Sequence, residues 1–222
     1  MRKISASYII SPEIKALKYG ILEFDSHGTI LSLSDTGGVM YEIENLEFYS
    51  GVLIPAFINL YAEPVTNQYL MYAKSRGDIC IPDTVNILKN FDDLSAEHLN
   101  TQNKDVIYSS DFLKLGFNNV HLLQTCKLTE FVIDKLILQI EINEKSRLKT
   151  ILDLLKVIIH YQPEISFFQL LQICLVNACK VLNDAAQYGT FTDGKIPGII
   201  LLENFDFTTF NIKQNTVIKL FA

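Results

Sequence analysis

The stretch Gly51-Val52-Leu53-Ile54-Pro55-Ala56-Phe57-Ile58-Asn59-Leu60-Tyr61-Ala62-Glu63 decides how the rest of the chain is interpreted. It begins as an apolar strand-like run and ends in two polar side chains spaced two apart, Tyr61 and Glu63. A phenol whose pKa lies near 10 is a poor metal ligand at pH 7, and a lone carboxylate supplies one of the several ligands that a metal needs. The stretch therefore joins an apolar frame to residues that do not make a metal site by themselves.

This stretch resembles the end of the first barrel strand in the amidohydrolase superfamily of metal-dependent hydrolases and deaminases. That strand commonly reads Pro-Gly-Phe-(Ile/Val)-Asn-x-His-x-His, and its two histidines hold the catalytic metal. Pro55 and the run Phe57–Asn59 keep the frame, whereas Tyr61 and Glu63 occupy the histidine positions. The resemblance therefore implies the frame of the family without its usual ligands.

A second part of the chain resembles the C-terminal pattern of the same family, in which a helix with Asn-x-Ala-x-x-Leu precedes Gly-x-(Ile/Phe)-x-x-Gly-Lys and an apolar strand. The corresponding residues are Asn177-Ala178-Cys179-Lys180-Val181-Leu182, slightly shifted, then Gly189-Thr190-Phe191-Thr192-Asp193-Gly194-Lys195 and Ile199-Ile200-Leu201-Leu202-Glu203. Ile196-Pro197-Gly198 replaces the usual Ala-Asp after Gly-Lys. The likeness covers about residues 1–63 and 140–222, and it is greatest to the deaminase-like branch that includes aminofutalosine and adenosine-type deaminases.

Family members carry a small β-sandwich, built jointly from both termini, beside a (β/α)8 barrel. The resemblance therefore implies an α/β (α+β) fold, with a composite sandwich from residues 1–55 and 186–222. The remaining segment 56–185 has about 130 residues, whereas a complete barrel needs roughly 250. We therefore expect a shortened, incomplete barrel-like middle region.

Local patterns predict the individual elements. A hairpin is expected over 20–33, because Ser26-His27-Gly28 has the composition of a turn between two apolar runs. Helical spacing predicts helices over 148–160, with Ser146 as N-cap, and from Ser166 to Leu182, with a capping box at its start. Further predicted pieces are the strands 46–49, 52–54, 119–123, 138–143, 198–203 and 216–220, and a helix that opens on Thr129. The polar segment 62–105 shows no clear pattern, apart from a short helix over 84–90 that Asp83 is expected to cap.

Composition narrows the functional classes. The 222 residues are 49% hydrophobic and carry a net charge of −6. The acidic balance makes nucleic acid and anionic membrane surfaces poor partners, and no apolar run approaches the length of a membrane span. The N-terminus lacks the apolar core of a signal peptide. The four cysteines show no CxxC spacing, so we expect reduced, buried thiols in a soluble cytoplasmic protein.

The candidate site residues are few. The chain has four histidines, and no two of them have the spacing of a metal-binding pair. Glu63 and Tyr61 are the candidate catalytic residues. Glu63, Glu141 and His121 are the candidate metal ligands, although His121 on a predicted strand also fits a core histidine. The resemblance places Glu141 at the position of the family's aspartate and Gln124 at that of a further histidine.

Two functions remain open at this point. The first is a non-catalytic amidohydrolase-like protein, a pseudoenzyme, that binds a partner and needs no cofactor. Its partner would be a second copy in a homodimer or a full-length amidohydrolase paralogue, because an incomplete barrel exposes strand edges and apolar faces. The broad apolar coverage of helix 148–160, with Leu154 and Val157 beside its main stripe, favours such an interface. The alternative is a hydrolase or deaminase that acts on C–N bonds with zinc or iron in a rebuilt carboxylate site.

Overall fold

The computed structural model describes residues 1–61, 71, 73–80, 92–93, 112–140, 149–182 and 187–222. These residues form two β-sheets and a set of short helices. The predicted helix over 84–90 lies outside the described residues. No helix in the described part of the chain is both long and apolar enough to cross a membrane.

The two ends of the chain build one seven-stranded sheet. Its strands are β1 (Arg2–Ser11), β2 (Ile14–Lys18), β3 (Ile21–Phe24), β4 (Ile30–Ser34), β5 (Leu46–Pro55), β11 (Ile199–Glu203) and β12 (Val217–Leu220). The order is β12-β11-β5-β1-β3-β4, and β2 also pairs with β1. β11 runs antiparallel to β5, with Ile200 opposite Ile54. The predicted hairpin and the predicted pairing of strands from the two termini are therefore confirmed, and a two-layered sandwich stays a prediction.

The two pieces predicted over 46–49 and 52–54 are one continuous strand, β5. Gly51 permits this continuity because its φ of 145° is a conformation that side chains rarely adopt. A Cβ on Gly51 would also lie 2.5 Å from the Leu202 carbonyl oxygen of β11. The glycine therefore lets the C-terminal strand approach β5 closely.

The second sheet is parallel throughout. Its strands are β6 (Phe57–Tyr61), β7 (Asp78–Cys80), β8 (Asp92–Asp93), β9 (Leu113–Leu115) and β10 (Leu136–Ile140). They lie in the order β7-β6-β10-β9-β8, so the last strand packs beside the first. This order is that of a ring of five strands in which, among the described residues, β7 and β8 are not paired. Only Ala56 separates β5 from β6, so the chain passes directly from one sheet into the other.

The helices follow the predicted apolar periodicity. They are a 3-10 helix (Val120–Gln124), α1 (Glu130–Ile133), α2 (Ile151–Tyr161), α3 (Phe167–Leu171) and α4 (Ala178–Leu182), with a π-helical turn (Gln172–Asn177) that joins the last two. The predicted capping box is present, since Ser166 Oγ accepts from Gln169 N and Gln169 Oε1 accepts from Ser166 N. Thr129 is the N-cap of α1, as predicted.

The strand predicted over 119–123 is wrong, because these residues belong to the 3-10 helix. The Asn119 side chain explains the turn: its Oδ1 accepts from Gly116 N at 2.8 Å, and its Nδ2 donates to the Lys114 carbonyl oxygen at 3.0 Å. These bonds fold the backbone back immediately after β9. Local side-chain bonds of this kind compete with an extended conformation.

The N-cap predicted for the long helix is also wrong. α2 begins after Thr150 rather than after Ser146, which lies outside the described residues. The Asp153 carboxylate accepts from both Thr150 N and Thr150 Oγ1 at 2.9 Å. This capping arrangement fixes the start of the helix four residues later than the sequence pattern indicated.

The larger hydrophobic core lies between the parallel sheet and the helices, and a smaller one lies against the terminal sheet. Leu154 of α2 is fully buried and Val157 is half-buried within the single chain. Leu154 is therefore covered within the single chain, whereas Val157 is covered in part, and the expected dimer stays a prediction. Cys174 and Cys179 are buried in the larger core, as expected for most of the cysteines, whereas Cys126 is half-buried.

Candidate functional site

Catalytic residues in barrel folds lie at the carboxyl ends of the parallel strands. Tyr61 is the last residue of β6 and therefore stands at that end. Glu63 and Glu141, the two candidate carboxylates, lie outside the described residues. Among the described residues, this end also includes Cys80 of β7 and Asp93 of β8, whose Oδ1 lies 3.4 Å from Lys114 Nζ. It includes as well the loop after β9, where Lys149 Nζ lies 4.2 Å from the centroid of the Phe117 ring.

The register of the parallel sheet shows which residues share a face with the candidate site. By strand alternation, position 61 falls on the same side of β6 as Phe57 and Asn59. Tyr61 pairs with Ile140 of β10, so Ile140 and Leu138 lie on that same side. Both are fully buried apolar side chains. The described part of β10 therefore offers no metal ligand on this face.

One buried polar pair interrupts this apolar face. Asn59 Nδ2 donates to Asp78 Oδ2 at 2.8 Å, and the backbone N of Ile151, the first residue of α2, donates to the same oxygen at 3.2 Å. Asn59 and Thr150 are fully buried, and Asp78 is 1% exposed. Asp78 therefore ties β6 and β7 to the N-terminus of α2, where the helix dipole favours negative charge.

Burial raises the pKa of Asp78 to about 7, because the charged form loses its hydration. The hydrogen bonds from Ile151 and Asn59 oppose this shift in pKa, as does the charge of Arg76, whereas the charge of Asp153 adds to it. Asp78 is thus a carboxyl group whose pKa lies near neutral pH, and it is almost fully buried beside a cavity that it helps to line. Its role in the fold is to hold the N-terminus of α2 in place, since this end of the helix packs over the carboxylate.

The three histidines that the structure describes do not lie together. His27 lies in the turn between β3 and β4, His121 in the 3-10 helix and His160 in the last turn of α2, and all three are exposed. His121 was expected on a strand, and this expectation is wrong because residue 121 is an exposed position of the 3-10 helix. It is therefore not a core histidine, and its candidacy as a metal ligand stays a prediction. Gln124 is exposed in the same turn. Among the described residues, no group of three His, Cys, Asp or Glu side chains is placed to hold a metal ion.

A cavity of about 340 Å³ lies at the opposite end of the parallel strands. Ala56, which precedes β6, and Gly77, which precedes β7, line it together with Lys74 and Tyr188. Amino-terminal ends of barrel strands serve stability rather than catalysis. This cavity is therefore a seam between the two sheets rather than a counterpart of a barrel active site.

Sequence reasoning missed Asp78. It lies in the segment 62–105, which shows no periodicity, and its partners are 19 and 73 residues away in the chain. The available signal was a single acidic residue before the apolar residues Ile79 and Cys80. Such a signal is too common to identify a buried carboxyl group.

No protein-family model matches the chain, and no curated protein matches it. Solved structures do resemble it. The N-acetyl-D-glucosamine-6-phosphate deacetylase of Mycobacterium smegmatis gives a TM-score of 0.59 at 8% identity, over 92% of this chain and 96% of that one. The corresponding deacetylase of Pasteurella multocida gives 0.51 at 12% identity, over 99% and 100%. That of Thermotoga maritima gives 0.50 at 11% identity, over 97% and 99%.

At such low identity these likenesses establish the fold and not the activity. The chain shares its mixed α/β fold with these N-acetylglucosamine-6-phosphate deacetylases. The family resemblance noted in the two end segments stays a prediction. The deaminase-like branch is a finer assignment that this likeness does not distinguish.

Proposed function

We propose that this protein is a non-catalytic amidohydrolase-like protein, a pseudoenzyme that serves a binding or subunit-interaction role. The observation that carries the proposal is the closed face beside position 61. On this face, Leu138 and Ile140 are buried in the core. The Asp78 carboxylate accepts hydrogen bonds from Asn59 and from the first residue of α2.

Metal-dependent hydrolysis needs several ligands that converge on one ion and leave a position open for water and substrate. The residues that the structure describes do not fit that requirement. Tyr61 and Glu63 occupy the positions that the resemblance assigns to the two histidine ligands. The three described histidines are exposed on separate elements. The face that would surround an open metal position is filled by side chains and by a helix end.

The proposal includes an origin for the fold. The five parallel strands follow one another in the order of a ring, which is what a barrel with fewer βα units would give. On this view the chain is a shortened relative of the deaminase-like branch, with residues 1–55 and 186–222 forming the composite sandwich around a reduced barrel at 56–185. Its partner would be a second copy of the chain or a full-length amidohydrolase paralogue.

The alternative is a metal-dependent hydrolase or deaminase acting on C–N bonds. The fold likeness to deacetylases favours it. It would require zinc or iron held by Glu63, Glu141 and His121. The exposed position of His121 on the 3-10 helix weighs against that ligand set.

Elemental analysis of protein purified without chelator tests the proposal. We expect well under one equivalent of zinc, iron or manganese per chain, and no increase in melting temperature when each metal is added. The comparison variant is Glu63→Gln combined with Glu141→Gln, which should behave as the wild type does. Stoichiometric metal that is lost in this variant, with hydrolysis of N-acetylglucosamine 6-phosphate or deamination of adenosine, would establish the alternative instead.

A further inference from the structure

An apolar patch is exposed on the terminal sheet. It consists of Val39, Met40, Tyr41, Ile43 and Phe48, which are between 40% and 53% exposed, and we call it the 39–48 patch. Surface apolar residues are ordinarily scattered singly. Here four of the five lie within one loop, between β4 and β5, and the fifth is on β5 itself.

The loop is fixed at both ends. Thr36 Oγ1 donates to the carbonyl oxygen of Lys18 at 3.2 Å, and Gly37 N donates to Asp35 Oδ1 at 2.8 Å. At the other end, Leu46 N donates to the Ile43 carbonyl oxygen at 3.1 Å. The apolar side chains between these anchors are therefore held outward by an ordered backbone. A preformed surface loses little entropy when it binds.

Beneath the loop lies a groove of about 440 Å³. Its walls are Met40 and Ile43 of the loop and Tyr19, Ile21 and Phe48 of the sheet. Tyr19 has a φ of 57°, which is uncommon for a bulky residue. Its carbonyl oxygen accepts from Ser5 Oγ at 3.2 Å, and its ring lies 6.0 Å from that of Phe48. The groove is thus part of a constrained structure rather than a gap between mobile side chains.

Two acidic residues lie at the groove. Glu42 and Glu44 line it, are exposed, and form no salt bridge with any residue that the structure describes. Glutamates on the neighbouring strands are paired instead: Glu23 lies 3.2 Å from Lys3, and Glu47 lies 2.7 Å from Arg2. The negative charge of the groove is therefore suited to bind a peptide whose cationic side chains lie two residues apart.

The apolar area of the patch indicates which kind of partner it can bind. Five side chains at about half exposure offer roughly 400 Å² of apolar surface, whereas a stable protein–protein interface buries about 800 Å² on each partner. A second copy of the chain would need a larger contact. A short extended segment needs less, and its alternate side chains lie about 7 Å apart on one side.

We propose that the 39–48 patch binds an extended segment of a partner protein whose alternate side chains, on the one face turned toward the groove, comprise both lysine or arginine and apolar residues. The apolar side chains enter the groove beside Met40 and Phe48, and the cations contact Glu42 and Glu44. This inference rests on the proposed function only in assigning the chain an interaction role, and it does not require that catalysis be absent.

Selection from a random peptide library displayed on phage tests the proposal. Wild-type protein is the bait, and the variant Met40→Ser combined with Tyr41→Ser is the counter-selection bait. The enriched peptides should carry basic residues at alternate positions. In fluorescence anisotropy, the best peptide should bind Glu42→Gln/Glu44→Gln about fivefold more weakly than wild type, and this difference should shrink as salt rises from about 50 to about 500 mM.

Asp193→Asn, at an exposed acidic position outside the groove, is the matched charge control and should leave the affinity unchanged. Far-UV circular dichroism confirms that each variant is folded. Three outcomes would overturn the proposal: no enrichment over the counter-selection bait, enriched peptides without a basic pattern, or binding that neither double variant weakens. A dimer in light scattering that Met40→Ser/Tyr41→Ser dissociates would instead assign the patch to a second copy. The metal content of the protein, which tests the proposed function, does not depend on any of these outcomes.

Discussion

Asp78 shows how one buried carboxyl group makes stability depend on pH. Its pKa of about 7 in the folded protein compares with 3.8 for an ordinary aspartate. Below about pH 4 both the folded and the unfolded chain hold the proton. As the pH rises to about 7, the unfolded chain releases it while the folded protein retains it. The folded state is therefore progressively destabilised by this group as the pH rises through that window.

The substitution Asp78→Asn should remove this dependence. The asparagine oxygen can accept from Ile151 N and Asn59 Nδ2, since both bonds go to one oxygen of Asp78. Relative to wild type, the variant should gain up to roughly 4 kcal/mol of unfolding free energy between pH 4 and pH 8. Urea unfolding of both proteins across this range measures the difference. If the two pH profiles run parallel, the pKa of Asp78 in the folded protein is not raised.

Gly51 shows how the close approach of two strands restricts which residue the backbone can accept. Gly51→Ala would place a Cβ 2.5 Å from the backbone oxygen of Leu202, which cannot move without shifting β11. We expect a loss of about 3 kcal/mol or more in the free energy of unfolding. Gly37→Ala is the matched control, because Gly37 has a φ of 64° and nothing within 4 Å of its ideal Cβ. It should cost about 1 kcal/mol. Equal losses would refute the close-approach argument.

Among the elements, the π-helical turn has a clear structural role. Asn177 ends this turn and is fully buried. Its Nδ2 donates to the carbonyl oxygens of Ile133 and Leu136 at 2.8 and 2.7 Å. The amide thereby closes the connection between α1 and β10. The π-helical geometry also aligns residues five apart, so that Gln172 Nε2 donates to Asn177 Oδ1 at 2.9 Å.

Asn177→Ala should therefore destabilise the protein by about 3 kcal/mol, because two buried carbonyl groups lose their donor. Gln172→Ala removes the bond to Asn177 and leaves both bonds to the carbonyl groups, so it should cost about 1 kcal/mol. Chemical denaturation of the two variants gives the comparison. A loss for Gln172→Ala that equals the loss for Asn177→Ala would show that the bonds to the carbonyl groups are not the important ones.

The sequence predicted those elements whose signals are local. Apolar periodicity located α2 and the Ser166-capped helix, and turn chemistry located the β3–β4 hairpin. The predictions failed where the hydrogen bonds of a single side chain, or a contact with a residue far away in the sequence, determined the local structure. Asn119 turned an expected strand into a 3-10 helix through its own backbone bonds. Ser is a better N-cap residue than Thr, so the local sequence favoured Ser146 over Thr150. The contact of Ile151 with Asp78, 73 residues away, is not visible in the local sequence.

At the scale of the whole molecule, the two sheets are joined along a tight seam. β5 passes into β6 through Ala56, and a Cβ on Gly198 would lie 2.8 Å from the Ala56 side chain. Gly77, before β7, packs in the same way against Ile218 and Ile200 of the C-terminal strands. These close contacts join the two sheets at the edge of the cavity that Ala56, Gly77 and Gly198 also line. We therefore expect the sheets to unfold as one cooperative unit.

Truncating a core side chain in one sheet should then destabilise the other sheet by the same free energy. Leu201 of β11 is fully buried in the smaller core, so Leu201→Ala should cost about 2 to 5 kcal/mol. Native-state hydrogen exchange should show that amides of β10, in the other sheet, lose protection by the same free energy. Val217→Ala in β12, where the side chain is 44% exposed, should leave both sheets nearly unchanged. If Leu201→Ala lowers protection in the terminal sheet while β10 keeps its wild-type protection, the sheets are independent units and the seam does not couple them.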